Sequence, residues 1–198
     1  MKPSLSVPAA YELKGSIDLS KNKSLALITN IAGAVLLVGF GWLFTSLMIY
    51  IRPGYGSVFN LTISSLWDVL ELIGIVLGVT AVMVLVHEGL HGMFFWLFTG
   101  GRPFFGFRGY YAYASAPGWY IPRNPYLVIC MAPFVLITAA GLALLSVIPG
   151  VLVTPMLLLV AMNAAGAVGD LMVFGWLLIK PSRSVVQDFG DGVNLYID

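Results

Sequence analysis

The sequence predicts an all-α membrane protein with four transmembrane helices and a β-hairpin or aromatic loop between the second and third. Three observations carry that prediction. The 198 residues are 59% hydrophobic and 10% charged, with a mean hydropathy of +0.93, whereas soluble domains carry about 25% charged residues. Long stretches are nearly free of charge, and each is long enough to cross a bilayer. The basic residues gather at alternate ends of those stretches.

Residues 1–23 form a polar arm holding Lys2, Lys14, Lys21 and Lys23 with Glu12, Asp18, Pro3 and Pro8. It is too polar for a secretory signal, so no cleaved leader is expected. Ser24 to Ile51 carries no charge and exceeds the ~20 residues a spanning helix needs, which predicts the first helix over 24–51. Arg52 to Glu71 reads as an outer loop with amphipathic character (Val58, Leu61, Leu66, Trp67, Leu70) and an Asn60-Leu61-Thr62 glycosylation-type triplet. Leu72 to Gly101 holds only Glu88 as a charge, predicting a second helix over 72–98.

From Asn124 to Ile179 the only charge is Asp170. That run is about twice a spanning length. Pro149-Gly150, with Pro155 beyond, divides it into helices over 126–149 and 152–179. The organisation is therefore an arm (1–23), a four-helix membrane domain (24–180) and a tail (181–198).

Arg102, Arg108 and Arg123 lie between the second and third helices, and Lys180 and Arg183 follow the fourth. With the four arm lysines they define one side; Arg52 stands alone on the other. The positive-inside rule makes both termini cytoplasmic, in agreement with an even number of spans. In this orientation His87, His91 and Asp170 lie roughly 10–16 Å from the cytoplasmic helix ends, at ~1.5 Å per residue.

Between Arg102 and Arg123, Phe105, Phe107, Tyr111 and Tyr113 alternate with Gly106, Arg108, Ala112 and Ala114, a period-two strand pattern. Ser115-Ala116-Pro117-Gly118 reads as a turn, and Trp119-Tyr120-Ile121 as the returning strand. Such a hairpin holds an extended peptide by strand addition. The competing reading is an aromatic belt at the membrane interface.

His87-Glu88-Gly89-Leu90-His91 lies in the second span and contains both histidines of the chain. On a helix this spacing places two imidazoles on one face, one turn apart, ready to share a metal, with the glutamate placed to act on a water. Ionisable groups are costly inside a bilayer, so such a cluster points to function. Catalytic zinc takes three protein ligands and keeps one position for water. No histidine follows His91 and no glutamate follows Glu88. Of the downstream acids, Asp188, Asp191 and Asp198 fall in the tail; Asp170 alone is in a span, where no Lys or Arg can pair with it. It is the expected third ligand of one Zn2+ per chain. Asn163, seven residues before Asp170 on the same helix face, is expected to orient a ligand or to donate to a substrate oxyanion. Cys130, the only cysteine, excludes an internal disulfide and reads as a buried structural residue.

The pentapeptide on one span with an Asp ligand on a later span resembles the site-2-protease-like intramembrane metalloproteases. The chain more closely resembles a zincin peptidase family of small membrane proteins, through His87–His91, Tyr113-Ala114-Ser115-Ala116-Pro117-Gly118, and Asn163 with Gly169-Asp170. The resemblance implies that His87, His91 and Asp170 bind zinc and that Glu88 is the general base. The site-2 pattern Asn-x-x-Pro before Leu-Asp-Gly is here Asn163-Ala-Ala-Gly166 followed by Gly169-Asp170-Leu171, without the proline and with a shorter spacing.

The leading expectation is a membrane-embedded zinc metalloendopeptidase acting on a peptide or membrane-protein substrate in or near the bilayer. The alternatives are zinc-dependent hydrolysis of a lipid or small amide, and non-catalytic metal binding. The net charge of +1, without any Lys/Arg run, gives no reason for a nucleic-acid partner. Oligomeric state leaves no mark in the sequence.

Overall fold

A computed structural model describes residues 1–53, 63–109 and 111–198. The Asn60-Leu61-Thr62 triplet and Val58 lie outside the described residues. Among the described residues five helices occur in order: α1 (Lys23–Ile51), α2 (Leu66–Thr99), α3 (Arg123–Leu145), α4 (Val153–Gly166) and α5 (Val168–Leu178), with a 3-10 turn at Gly150–Leu152 before α4. α1, α2 and α3 are each long and apolar enough to cross a membrane, and the stretch from Gly150 to Leu178 qualifies as one bent span. Val38, Trp42, Leu77 and Leu85 are exposed along α1 and α2, an apolar surface too extensive for contact with water.

The helix ends follow local chemistry. Asn22 caps α1 by accepting from the Leu25 N–H. α2 starts earlier than its charge-free run, at Leu66, because Ser65 and Asp68 form a reciprocal capping box. Trp67 and Leu70, expected in a loop, are therefore on its first turns. Two arginines satisfy carbonyls left over at helix C-termini. Arg52 donates to Leu145 O and Ile148 O after α3, and Arg123 to Leu177 O and Leu178 O after α5.

The helix expected over 152–179 is instead two, α4 and α5, bent by 41°. Gly166, at the end of α4, offers the weak point. Ala167 N still donates to Asn163 O, and Leu171 N to Ala167 O, so the chain re-enters a helix at once. The break gives α5 its own N-terminus, with Asp170 in its first turn, where the aligned peptide dipoles favour a carboxylate.

The described residues also form six strands: β1 (Glu12–Asp18), β2 (Phe104–Phe107), β3 (Ala112–Ser115), β4 (Tyr120–Pro122), β5 (Val185–Asp188) and β6 (Gly192–Ile197). The arm and the tail, remote in sequence, meet in one antiparallel sheet of order β1-β6-β5-β4. Its Ile121, Val186, Val193 and Leu195 pack with Phe95 of α2, Tyr126 of α3 and Leu177 of α5. A second core joins α1, α3 and α4 through Phe44, Met48, Leu145, Leu157 and Val160.

The aromatic segment departs from its expected register. The alternating stretch is not one strand: β2 and β3 pair antiparallel, Phe105 opposite Ala114. The reversal passes through Gly109, whose φ of +68° suits glycine, and Arg108 N donates to Tyr111 O across it. The turn expected at 115–118 lies one residue later, at 116–119, with Trp119 N donating to Ala116 O and Ser115 still in β3. The returning segment then pairs elsewhere, Tyr120 opposite Gln187 of β5.

Candidate metal centre

His87 and His91 stand one turn apart on α2, both buried, with ring centroids 4.9 Å apart. Their outer ring nitrogens face Asp170: His87 Nε2 is 3.2 Å from Oδ2 and His91 Nε2 is 3.4 Å from Oδ1. The inner nitrogens are taken by acceptors from other helices. His87 Nδ1 is 3.0 Å from Asn163 Oδ1, and His91 Nδ1 is 3.1 Å from the Ile129 carbonyl. An amide oxygen and a backbone carbonyl only accept, so each Nδ1 carries a proton and each Nε2 is the nitrogen turned to Asp170.

One potential ligand atom from each of His87, His91 and Asp170 lies within 4.8 Å of the others. Around a tetrahedral zinc with bonds of ~2.0–2.1 Å, neighbouring ligand atoms stand about 3.3–3.4 Å apart. The two His-to-Asp separations, each to a different carboxylate oxygen, are of that order, and two imidazoles with one carboxylate are donor types that zinc takes. Charge points the same way: no Lys or Arg lines the cavity around these residues among the described ones. Two carboxylates, Asp170 and Glu88, share this cavity, and a divalent cation would balance their charge.

Glu88 opens onto the same cavity, of about 410 Å³, with Tyr111, Ala112, Tyr113 and Ala114 along one wall. Its Oε2 accepts the Ala114 N–H at 2.7 Å. That N–H therefore points away from β2, and this edge of β3 faces the cavity with the Ala114 N–H engaged by Glu88.

The pentapeptide, Asp170 and Asn163 thus come together as their spacing suggested, with one difference. A straight helix would set Asn163 about 10 Å beyond Asp170. The α4–α5 bend lets Asn163 and Asp170 meet the two nitrogens of a single ring, His87. Asn163 Nδ2 also donates to Pro133 O at 3.4 Å. Its oxygen meets His87 and one of its two N–H groups reaches Pro133 O, which suits orientation of His87.

Cys130 lines the cavity but is not in the ligand group. Asp188 and Asp191, expected away from the site in the tail, also line it, because β5 and β6 fold back beneath the helices. The Asp188 carboxylate accepts from Tyr126 Oη and the Gly190 N–H, and burial pushes its pKa up to about 6. Asp191 accepts from Tyr111 Oη at 2.5 Å and pairs with Arg108 at 3.1 Å, tying the β2–β3 turn to the start of β6. The Ile129 carbonyl and the Ala114 N–H were beyond sequence reasoning, since backbone groups leave no residue-type signal.

Residues 80–185 match the family described as "Putative zincin peptidase". The chain belongs to that family. No curated protein and no solved structure matches it. As a zincin-type chain it carries His87, Glu88, His91, Ala114, Ile129, Asn163 and Asp170 all inside the matched stretch. Asp188 and Asp191 of the cavity floor lie just beyond it. The family implies zinc, in agreement with the donor set.

Proposed function

We propose that this protein is a membrane-embedded zinc endopeptidase, with His87, His91 and Asp170 as ligands and Glu88 as general base. The observation that carries the reading is the convergence of the three ligand atoms within 4.8 Å, beside a carboxylate on the same cavity. Bound zinc would acidify a water and polarise a scissile carbonyl. Asn163 and the Ile129 carbonyl hold the imidazoles in the tautomer that ligation needs. Ala114 restrains Glu88 through Oε2, leaving Oε1 to take the attacking water's proton and return it to the leaving amine.

The edge of β3 favours a peptide over a lipid or small amide. Ala112 and Ala114 lie on the cavity wall, and strand addition there would hold a substrate backbone extended beside Glu88. The charge distribution supports a site opening to the cytoplasmic side, with both termini on that side. The arrangement of a histidine pair on one span and an aspartate on a later one is the feature shared with site-2-type proteases.

The test is cleavage of a peptide library by purified protein in lipid nanodiscs, with and without chelator, beside Asp170→Ala. Chelator-sensitive cleavage by the wild type alone supports the reading. Stoichiometric zinc without cleavage of any peptide, but with hydrolysis of lipid amides, would replace it with the lipid alternative.

A further inference from the structure

Pro133 lies inside α3, buried and flanked by regular helix on both sides. A proline there has no N–H for the carbonyl four residues earlier, and its ring pushes that carbonyl off the helix axis. The carbonyl four residues before Pro133 is that of Ile129. It is the one that meets His91 Nδ1, at 3.1 Å. Ile129 and His91 are both buried, so each group needs a partner within the protein.

The same residue reaches the other histidine. Pro133's own carbonyl accepts from Asn163 Nδ2, and Asn163 Oδ1 faces His87 Nδ1. That bond sets which way the amide points, with its oxygen toward His87. Both Nδ1 acceptors therefore trace to one position on α3: one carbonyl freed by the ring, the other belonging to the proline itself.

We propose that Pro133 is a positioning residue for the metal centre, supplying through the Ile129 carbonyl the acceptor that fixes His91 with Nε2 free to ligate. The inference rests on the metal-centre reading above. With an N–H at residue 133, the helix would recapture the Ile129 carbonyl, and His91 would lose its partner or share it. Outer-shell partners of this kind are worth about 10- to 100-fold in metal affinity. A proline kept only for helix shape would show no such link to the histidine.

The test compares wild type with Pro133→Ala, full chain in nanodiscs, by three readouts. The first is zinc affinity against a chelating dye. The second is the melting temperature of the metal-free protein. The third is the ring 15N spectrum of the metal-free protein, which holds only two histidines. The expected result is an unchanged or higher melting temperature, since a helix-interior proline is replaced by alanine. Zinc affinity falls about 10-fold or more, and one imidazole loses its single-tautomer signature. Lactic acid at position 133, which lacks the N–H as proline does but carries no ring, restores affinity and ring signals. Wild-type affinity and an unaltered ring spectrum in Pro133→Ala overturn the proposal. A wild type that takes up no zinc overturns the metal-centre reading instead, and the ring spectra then decide the positioning role alone. If Pro133→Ala does not fold, the lactic-acid variant carries the test: mixed tautomers in it overturn the proposal.

Discussion

Ala114 N lies 2.7 Å from Glu88 Oε2, joining the cavity-facing edge of β3 to the acid of the pentapeptide. One hydrogen bond thereby sets both the position of the proposed base and its distance from the strand that would carry substrate.

Glu88→Gln keeps an oxygen for Ala114 but cannot take a proton. Zinc content should equal that of the wild type while peptide hydrolysis falls by about 100-fold or more, the usual worth of a positioned base. Metal analysis and turnover on the same preparation check this. Retained turnover in the glutamine variant removes Glu88 from that role.

The two residues that meet His87 should separate by severity. Asp170→Ala deletes a ligand and should abolish stoichiometric zinc. Asn163→Ala removes the acceptor at His87 Nδ1 and the donor to Pro133 O but no ligand, and should weaken zinc by about 10- to 100-fold without abolishing it. Dye-competition titrations resolve the two classes; equal affinity in Asn163→Ala and wild type would show that the amide serves only helix packing.

The contrast between these two residues also shows where the sequence stops being informative. Asp170 was legible because charge inside a span is rare and no other downstream acid occupies one. The long helices were legible because crossing a bilayer is a matter of length and composition. The break at Gly166–Ala167 was not, because no proline marks it, and Asn163, Gly166, Gly169 and Asp170 around it read as site and close-packing residues rather than as a break. Nor was the sheet: β1 and β6 come from opposite ends of the chain, and strands this short do not specify so remote a partner, although Val193, Leu195 and Ile197 alternate along β6. With that sheet unread, Asp188 looked remote from the site whose cavity it lines.

Packing between α3 and α4 brings Pro133 to Asn163, and Gly141 sets how close those helices come. A Cβ at position 141 would stand 2.3 Å from Val160 Cγ2, and Val160 is fully buried and cannot swing away. Gly141→Ala should therefore destabilise the fold by about 1–3 kcal/mol through overpacking. Thermal or denaturant melts of the metal-free protein check the value, and adding Val160→Ala to the same chain should recover part of the loss.

Asp188 makes the stability pH-dependent in a direction opposite to that of a salt-bridged acid. Its pKa is raised by burial to about 6, against lowering hydrogen bonds from Tyr126 and Gly190; His91 and Asp170 also act on it through charge. In the unfolded chain an aspartate releases its proton near pH ~3.9. Between that pH and about 6 the folded chain holds a proton the unfolded chain has lost, so stability falls as pH rises through the window. Below it both states are protonated and the penalty is absent; above it the penalty is complete. Asp188→Asn stays neutral throughout. The melting temperature of the metal-free asparagine variant, relative to wild type, should climb from pH 4 to about 6.5 and then level off. Parallel curves across that range would show that Asp188 is ionised with its ordinary affinity in the fold, and that the cavity floor is wetter than its burial indicates.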